Sequence, residues 1–281
     1  MKLLVTTYNF AAVYDLESGS LSKIHEGAGK YFGVSWDSDT VYMGLGRRAF
    51  LGEKYGDNEK ILCFNRQLQF TGELFNTNIG LTNVHQLLVK DAILWMVNTG
   101  KNRIDTYHLH DRKIKYWYPH FFKRNKNYNH FNSIYIQDNR LYLLAHNDTN
   151  PSRVYIYRYP QLSLLQKITL GTQAHNLLVD GDEIYICDSA GSKNVISSRN
   201  SAFHIEEGYT RGIAASESHL FVGVSNKAER GRRQDGDCRI VIFNRKNKIP
   251  EKHITLKDAG NIYEIRILDA WDYAHGIQPF M

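Results

Sequence analysis

The sequence of 281 residues predicts an all-β fold, a six-bladed β-propeller with four antiparallel strands in each blade. Three observations support this class. Five segments of the chain repeat with one spacing, short β-rich stretches separated by polar turns follow them, and long apolar patterns with the 3.6-residue period of a helix are missing. We predict that one propeller domain covers residues 1–281, with residues 270–281 as an appended tail.

The repeat is defined by an aromatic residue that closes the second of two apolar runs. In each of five segments the first residue lies ten positions before that aromatic residue. The segments are FGVSWDSDTVY from Phe32, HQLLVKDAILW from His85, NSIYIQDNRLY from Asn132, HNLLVDGDEIY from His175 and RGIAASESHLF from Arg211. Two strands joined by a tight turn have this spacing, and stretches such as RVYIYRYP and LSLLQKITL supply a third and a fourth strand. A β-sandwich or two small barrels, the competing folds, do not explain the equal spacing.

The first blade lacks an innermost strand at the N-terminus. KLLVTTYN already has the pattern of a second strand and AAVYDLES that of a third, and NIYEIRILDA from Asn261 is the only candidate left for the innermost one. We therefore predict that the C-terminal strand pairs with the N-terminal blade and closes the ring. Such a closure removes the open edges of the fold.

Composition predicts a globular cytoplasmic protein. Hydrophobic residues make up 42% of the chain, and no apolar run approaches the length of a membrane span or a signal peptide. The three cysteines are widely spaced and predict neither disulfides nor a thiolate zinc site. A net charge of +6 is a mild excess without any nucleic-acid-binding motif, so we expect neither a nucleic-acid nor a membrane partner.

The repeat predicts a ring of polar side chains at one end of the central channel. The innermost strand of each blade lines the channel, so the first residue of every segment is expected at its mouth. These residues are Phe32, His85, Asn132, His175 and Arg211, and in the closing blade Glu264, or Tyr263 if the register differs by one residue. The second strands end at the same face and bring His146, Asp188 and Arg47 towards the ring.

Two chemistries fit this ring. His85, His175 and Glu264 could bind a divalent metal ion such as zinc, iron or manganese, because imidazole and carboxylate groups suit these ions. Alternatively His85 and His175 act as general acid and base while Arg211 holds a carboxylate or phosphate group. In both cases the expected ligand-binding residues are Asn132, His146, Asp188 and Arg47. Channel mouths in propellers are also commonly polar without any chemistry.

Part of the chain resembles a known group of proteins. The segment YTRGIAASESHLFVGVSNKAERG…CRIVIFNRKN…IYEIRIL is similar to the C-terminal part of uncharacterised bacterial six-bladed β-propellers. In blade design alone the chain also resembles the gluconolactonase and strictosidine-synthase-like propellers. The gluconolactonase resemblance implies a channel calcium ion, with Glu264, Asn132 and Asp188 as the matching ligands.

The functional expectation is a pocket that binds a small polar or anionic molecule, with metal-assisted hydrolase or lyase chemistry. The first alternative is a protein-interaction platform, in which the basic loops at residues 123–126 and 230–233 contact a protein partner. The second alternative, suggested by the 12% aromatic content, is a carbohydrate-binding propeller.

Overall fold

The structure, a computed structural model, describes residues 1–46, 59–120, 122, 127–192, 194–226 and 232–281. Within these residues the chain forms six sheets of four antiparallel strands. Blade 1 contains the first three strands of the chain, β1 (Lys2–Thr7), β2 (Phe10–Asp15) and β3 (Leu21–Glu26), together with the last one, β24 (Ile262–Ile267). Blade 2 contains β4 (Lys30–Trp36), β5 (Val41–Gly46), β6 (Lys60–Phe64) and β7 (Phe70–Glu73).

The other four blades follow in chain order. Blade 3 contains β8 (Val84–Lys90), β9 (Ile93–Asn98), β10 (Arg103–His108) and β11 (Ile114–Trp117), with a 3-10 turn at Thr99–Lys101. Blade 4 contains β12 (Phe131–Gln137), β13 (Arg140–Ala145), β14 (Pro151–Arg158) and β15 (Ser163–Thr172). Blade 5 contains β16 (His175–Asp180), β17 (Glu183–Cys187), β18 (Val195–Ser197) and β19 (Ala202–Phe203). Blade 6 contains β20 (Tyr209–Ala215), β21 (His219–Ser225), β22 (Cys238–Asn244) and β23 (Pro250–Leu256).

The innermost strands close a ring. Each of β24, β4, β8, β12, β16 and β20 contacts the next, and β20 contacts β24 again. In blade 1, β24 pairs with β1 through Leu4 opposite Arg266 and Val5 opposite Ile265. The six-bladed fold and its closure by the C-terminal strand are therefore confirmed.

Apolar packing between neighbouring blades holds the ring together. The repeat's aromatic residue is buried in every case, at Tyr42, Trp95, Tyr142, Tyr185 and Phe221. Separate clusters of buried side chains lie between successive sheets, such as the one that joins blades 5 and 6. Burial of one such side chain contributes about 1.5 to 3 kcal/mol, so each blade interface is a substantial source of stability.

The tail after β24 packs against the end of the channel opposite the mouth. The Asp272 carboxylate accepts hydrogen bonds from the backbone N–H groups of Ile267, Ala215 and Ala274, and the first two lie at the ends of innermost strands. Phe280 is buried in the cluster between blades 1 and 2. Within the described ranges, the structure contains no helix of the length and apolarity that spanning a membrane requires. The cytoplasmic location stays a prediction.

Candidate functional site

The repeat position lines the channel mouth as a ring of contacting side chains. The Phe32 ring lies 5.5 Å from the His85 ring and 4.9 Å from the Tyr263 ring, measured between centroids. The Arg211 guanidinium lies 4.8 Å from the centroid of Tyr263. Tyr263 therefore occupies the position in the closing blade for which the sequence left Glu264 and Tyr263 as alternatives.

Four imidazoles meet at this mouth. The ring centroids are 5.0 Å apart for His85 and His130, 4.6 Å for His130 and His146, 5.1 Å for His146 and His175, and 6.2 Å for His175 and His85. These four contacts form a closed cycle. The structure thus brings together the predicted residues His85, His146 and His175 and adds His130, which directly precedes the innermost strand of blade 4.

His85 is held by its Nδ1 atom. Nδ1 lies 3.0 Å from the carbonyl oxygen of Asn83 and 3.0 Å from Oγ1 of Thr99, whose hydroxyl donates to the carbonyl oxygen of Phe131. Because a carbonyl oxygen can only accept, Nδ1 of His85 carries the proton. Nε2 consequently has its lone pair available, and it makes no hydrogen bond to any described residue.

His175 repeats this arrangement in blade 5. Its Nδ1 lies 3.0 Å from Oγ of Ser189, and that hydroxyl donates to the carbonyl oxygen of Thr210 over 2.6 Å. Oη of Tyr209 also lies 3.3 Å from Nδ1. Because the serine hydroxyl donates to Thr210, we assign the proton to Nδ1 of His175, with the serine oxygen as its acceptor, and this assignment leaves the lone pair of Nε2 available. The two histidines therefore have the same local arrangement as well as the same repeat position: each contacts a hydroxyl group that donates to a carbonyl oxygen of the next blade.

Burial and neighbouring positive charge keep these histidines neutral. Desolvation lowers the pKa of His85 and of His175 well below the usual histidine value, and the Arg211 guanidinium and the other histidines lower each pKa further. The pKa of His146 is lowered to about 4, mainly by burial and then by Arg211. At neutral pH the imidazoles of His85, His146 and His175 are therefore neutral, and the buried Arg211 guanidinium lies near them.

Asn132 contributes a third acceptor. It occupies the repeat position in blade 4, is 3% exposed, and its Nδ2 donates to the carbonyl oxygen of Ala174 over 2.7 Å. That bond fixes the orientation of the amide. Among the described residues, Oδ1 of Asn132 has no hydrogen-bond partner.

A second group of potential metal ligands lies at the rim of the mouth. Ligand atoms of His130, His146 and Asp148 come within 4.8 Å of one another, the only such group of three acidic, histidine or cysteine side chains in the described ranges. However, Nδ1 of His146 already accepts the backbone N–H of Asp148 over 3.0 Å, and Nδ1 of His130 lies 3.0 Å from the side-chain amide of Asn127.

Glu264 lies one layer below the ring. Its two carboxylate oxygens accept hydrogen bonds from Nε2 of Gln86 over 3.2 Å and from Nδ2 of Asn176 over 3.0 Å. Arg266 and His275 each approach a Glu264 oxygen to 3.5 Å. Burial raises the pKa of Glu264, while Arg266 and the Gln86 amide act in the opposite direction. The predicted ligand set of His85, His175 and Glu264 is therefore not assembled, because Glu264 belongs to this deeper network.

Of the other predicted ligand-binding residues, Asp188 is engaged outside the ring. Both carboxylate oxygens of Asp188 are used by the neighbouring turns, where Thr172 N–H donates over 2.6 Å and Ser192 donates from both its N–H and its hydroxyl. Arg47 lies outside the described residues, as do residues 123–126 and 230–231 of the predicted basic loops.

The calcium site implied by the gluconolactonase resemblance does not fit these residues. Calcium requires six to eight oxygen ligands around one point. The carboxylate oxygens of Glu264 and of Asp188 accept hydrogen bonds in separate parts of the fold. Among the side-chain oxygens of these three residues, only Oδ1 of Asn132 has no partner among the described residues.

Comparisons with known proteins support the fold alone. No protein-family model and no curated protein matches the chain. Among solved structures, a chain described as "Crystal structure of Nidogen/Laminin Complex" matches with a TM-score of 0.70 and 11% sequence identity, over 94% of this chain and 97% of that chain. The resemblances to uncharacterised bacterial propellers and to the gluconolactonase group stay predictions. The chain is therefore a six-bladed β-propeller, an architecture that supports binding or interaction in general without specifying a ligand.

Proposed function

We propose that this propeller is a binding platform whose recognition centre is the channel mouth, and that the mouth takes a polar ligand bearing an anionic group. The observation that carries this proposal is the convergence of four imidazoles at the channel mouth, with the buried Arg211 guanidinium beside them. Sites with few, convergent polar groups in a concave surface are typical of ligand recognition.

The mouth has two chemically different halves. Blades 3 to 5 present hydrogen-bond acceptors, which are Nε2 of His85, Oδ1 of Asn132 and Nε2 of His175. Blades 6, 1 and 2 present the Arg211 guanidinium and the aromatic rings of Tyr263 and Phe32. A ligand with hydroxyl or amine donors at one end and a carboxylate or phosphate at the other matches both halves, since guanidinium groups bind such anions through paired hydrogen bonds.

The anionic group has two possible sources, a small molecule or an acidic side chain of a protein partner. The structural neighbour supports the second source in general terms, because it is described as part of a nidogen/laminin complex. Both sources require the same chemistry at Arg211, so the test needs one arm for each.

Thermal unfolding in the presence of anions tests the proposal. Citrate, succinate and inorganic phosphate are the small-molecule probes, and a glutamate-rich peptide represents a protein partner. A probe at about 100 times its dissociation constant stabilises the fold by about 2.7 kcal/mol, which for a chain of 281 residues corresponds to an increase in Tm of roughly 4 to 5 °C.

The variants then locate the binding. We expect Arg211→Met to remove the increase and Arg211→Lys to retain part of it. Arg199→Met is the matched control, because Arg199 pairs with Asp182 on the surface. An increase of equal size in Arg211→Met and in the unmodified protein would show that the anion binds elsewhere.

A narrower candidate is a hydrolase or lyase that uses the same pocket. The observation that favours it is the available Nε2 lone pair on His85 and on His175, since a neutral imidazole in that state can accept a proton from a substrate or a water molecule. Turnover of simple lactones or phosphate esters, lost in His85→Gln while anion binding persists, is the expected result for this candidate.

A further inference from the structure

Three consecutive blades place an unengaged acceptor at one repeat position of the channel mouth. These acceptors are Nε2 of His85, Oδ1 of Asn132 and Nε2 of His175. Their side chains are neighbours at the mouth: the Asn132 amide donates to Ala174, the residue before His175, and the two imidazole centroids are 6.2 Å apart. Of the three, Oδ1 of Asn132 is buried without a partner among the described residues, and a buried acceptor is normally satisfied by a hydrogen-bond donor or a cation.

We propose that His85, Asn132 and His175 bind one divalent transition-metal ion at the channel mouth. The proposal deepens the proposed function and rests on it, because the metal ion would occupy the three acceptors in place of donor groups of the ligand and would form the part of the recognition centre that faces Arg211. Two imidazole nitrogens and one amide oxygen leave coordination positions open, and the anionic group of a ligand can occupy them while its remaining charge pairs with the guanidinium.

The positions of the two imidazoles are compatible with a shared metal ion. With a metal–nitrogen distance of about 2.0 to 2.1 Å, two imidazoles bound through Nε2 have ring centroids roughly 5 to 6.4 Å apart, depending on the angle at the metal. The observed separation of 6.2 Å lies at the upper end of this range, and the two ring planes are inclined by 25°. A wide nitrogen–metal–nitrogen angle, or a small movement of one ring, would bring both nitrogens to the ion.

The anchoring of the two histidines is the second supporting observation. A histidine that binds a metal ion through one nitrogen typically donates the proton of its other nitrogen to a carbonyl, carboxylate or hydroxyl group, which fixes the ring. Here Thr99 and the Asn83 carbonyl fix His85, and Ser189 fixes His175. The same device in two blades orients two lone pairs, whereas a solvated channel requires no such orientation.

The ligand types select a transition metal over calcium or magnesium. Imidazole nitrogen suits zinc, iron, cobalt, nickel and copper, while calcium and magnesium prefer oxygen ligands. The nearby group of His130, His146 and Asp148 is the competing site, and its Nδ1 atoms already have hydrogen-bond partners. Variants of both groups therefore belong in the test.

Metal titration of the full chain, prepared without a histidine tag and stripped with EDTA, tests the proposal without any organic ligand. Co²⁺ provides the absorption spectrum of the coordinated ion, and Zn²⁺ provides affinity and stoichiometry by calorimetry. We expect one equivalent of metal and a loss of at least about 100-fold in affinity for His85→Gln and for His175→Gln. Thr99→Val, which removes one of the two Nδ1 partners of His85 and the hydrogen bond to Phe131, should lose about 10-fold. Asn132→Asp should bind more tightly because it adds a carboxylate ligand.

The controls separate the possible outcomes. His253→Gln, at an exposed strand position, should bind metal as the unmodified protein does. Thermal unfolding of each variant shows that the fold persists. Absence of stoichiometric binding, or binding that His146→Gln removes and His85→Gln leaves intact, would overturn the proposal. Anion binding that depends on Arg211 in EDTA-treated protein, without any metal binding, would overturn the metal site and leave the proposed function standing.

Discussion

Replacement of Glu264 by glutamine tests the polar layer below the mouth. The two carboxylate oxygens accept from the amide groups of Gln86 and Asn176. Neither amide can turn over, because Oε1 of Gln86 accepts the N–H of Ile134 over 2.6 Å and Oδ1 of Asn176 accepts the N–H of Gly212 over 2.8 Å. Residue 264 must therefore accept on both sides. A glutamine in either orientation places its NH₂ group against another NH₂ group.

The expected cost follows from two losses. One hydrogen bond to a charged group is lost, which costs about 1.5 to 3 kcal/mol. In addition the fully buried Arg266 loses the carboxylate that lies 3.5 Å from its Nη2, and breaking a buried ion pair from one side costs about 3 to 5 kcal/mol. Because the two losses overlap, we expect Glu264→Gln to lower the free energy of unfolding by roughly 3 to 5 kcal/mol. For 281 residues this corresponds to a decrease in Tm of about 5 to 8 °C.

Thermal and urea unfolding followed by circular dichroism provide the measurement. Glu17→Gln, which changes an exposed glutamate, is the matched control and should leave Tm unchanged. The double variant Glu264→Gln, Arg266→Met should be destabilised by less than the sum of the two single changes, since each partner is costly chiefly when the other remains unpaired. A loss below about 1 kcal/mol for Glu264→Gln would refute the inference that residue 264 must be an ionised acceptor.

Two further predictions concern other ionisable groups. Burial raises the pKa of Glu59 from 4.5 to about 7, although the N–H of Val84 donates to it. The free-energy penalty for ionising Glu59 in the folded protein therefore grows as pH rises from 4.5 to 7 and is complete above 7. Between pH 5 and 8 the free energy of unfolding of Glu59→Gln should consequently increase by up to about 3 kcal/mol relative to that of the unmodified protein. A difference between the two proteins that does not depend on pH in urea unfolding would contradict this. Burial likewise raises the pKa of the Cys63 thiol to about 11. Alkylation of Cys63, followed by mass spectrometry, should be slower than for an ordinary thiol at pH 8 by a factor on the order of 100, and its rate should increase about tenfold per pH unit.

The blade count and the closure were predictable because they depend on spacing. Two strands with a tight turn have nearly constant length, so an aromatic residue ten positions after the ring residue identifies each blade, and the leftover segment from Asn261 has to complete blade 1. The position of Glu264 was not predictable to one residue. The pairing of β24 with β1 shifts between Thr6 and Thr7, so that Tyr263 bulges towards the mouth, and a bulge of this kind leaves no trace in an apolar pattern.

The deeper layer had a sequence signal that the repeat alone does not make visible. Gln86 and Asn176 each follow a ring histidine by one position, so in the dipeptides HQ and HN the first residue belongs to the ring and the second to the deeper layer. Their role depends on Glu264, which is distant in the chain and reaches them only through closure of the ring. Asp188 was predicted at the mouth because it follows a second strand, but the turn beyond that strand provides backbone and hydroxyl donors that bind its carboxylate.

The distribution of imidazoles over the blades argues for an oriented ligand. In blades 3 and 5 the ring residue is a histidine, and the residue fourteen positions later, Thr99 or Ser189, supplies the hydroxyl that anchors it. In blade 4 the ring residue is Asn132 instead, and the residue fourteen positions later is His146. Each of these three consecutive blades thus contributes an imidazole, from one strand or the other. In blade 6 the corresponding hydroxyl accepts a backbone N–H, and the ring residue is Arg211. A channel that only required solvation would have no reason to place these acceptors at blades 3 to 5 and the Arg211 guanidinium at blade 6. The separation is expected if one ligand spans the mouth, with its electron-poor part at blades 3 to 5 and its anionic group at blade 6.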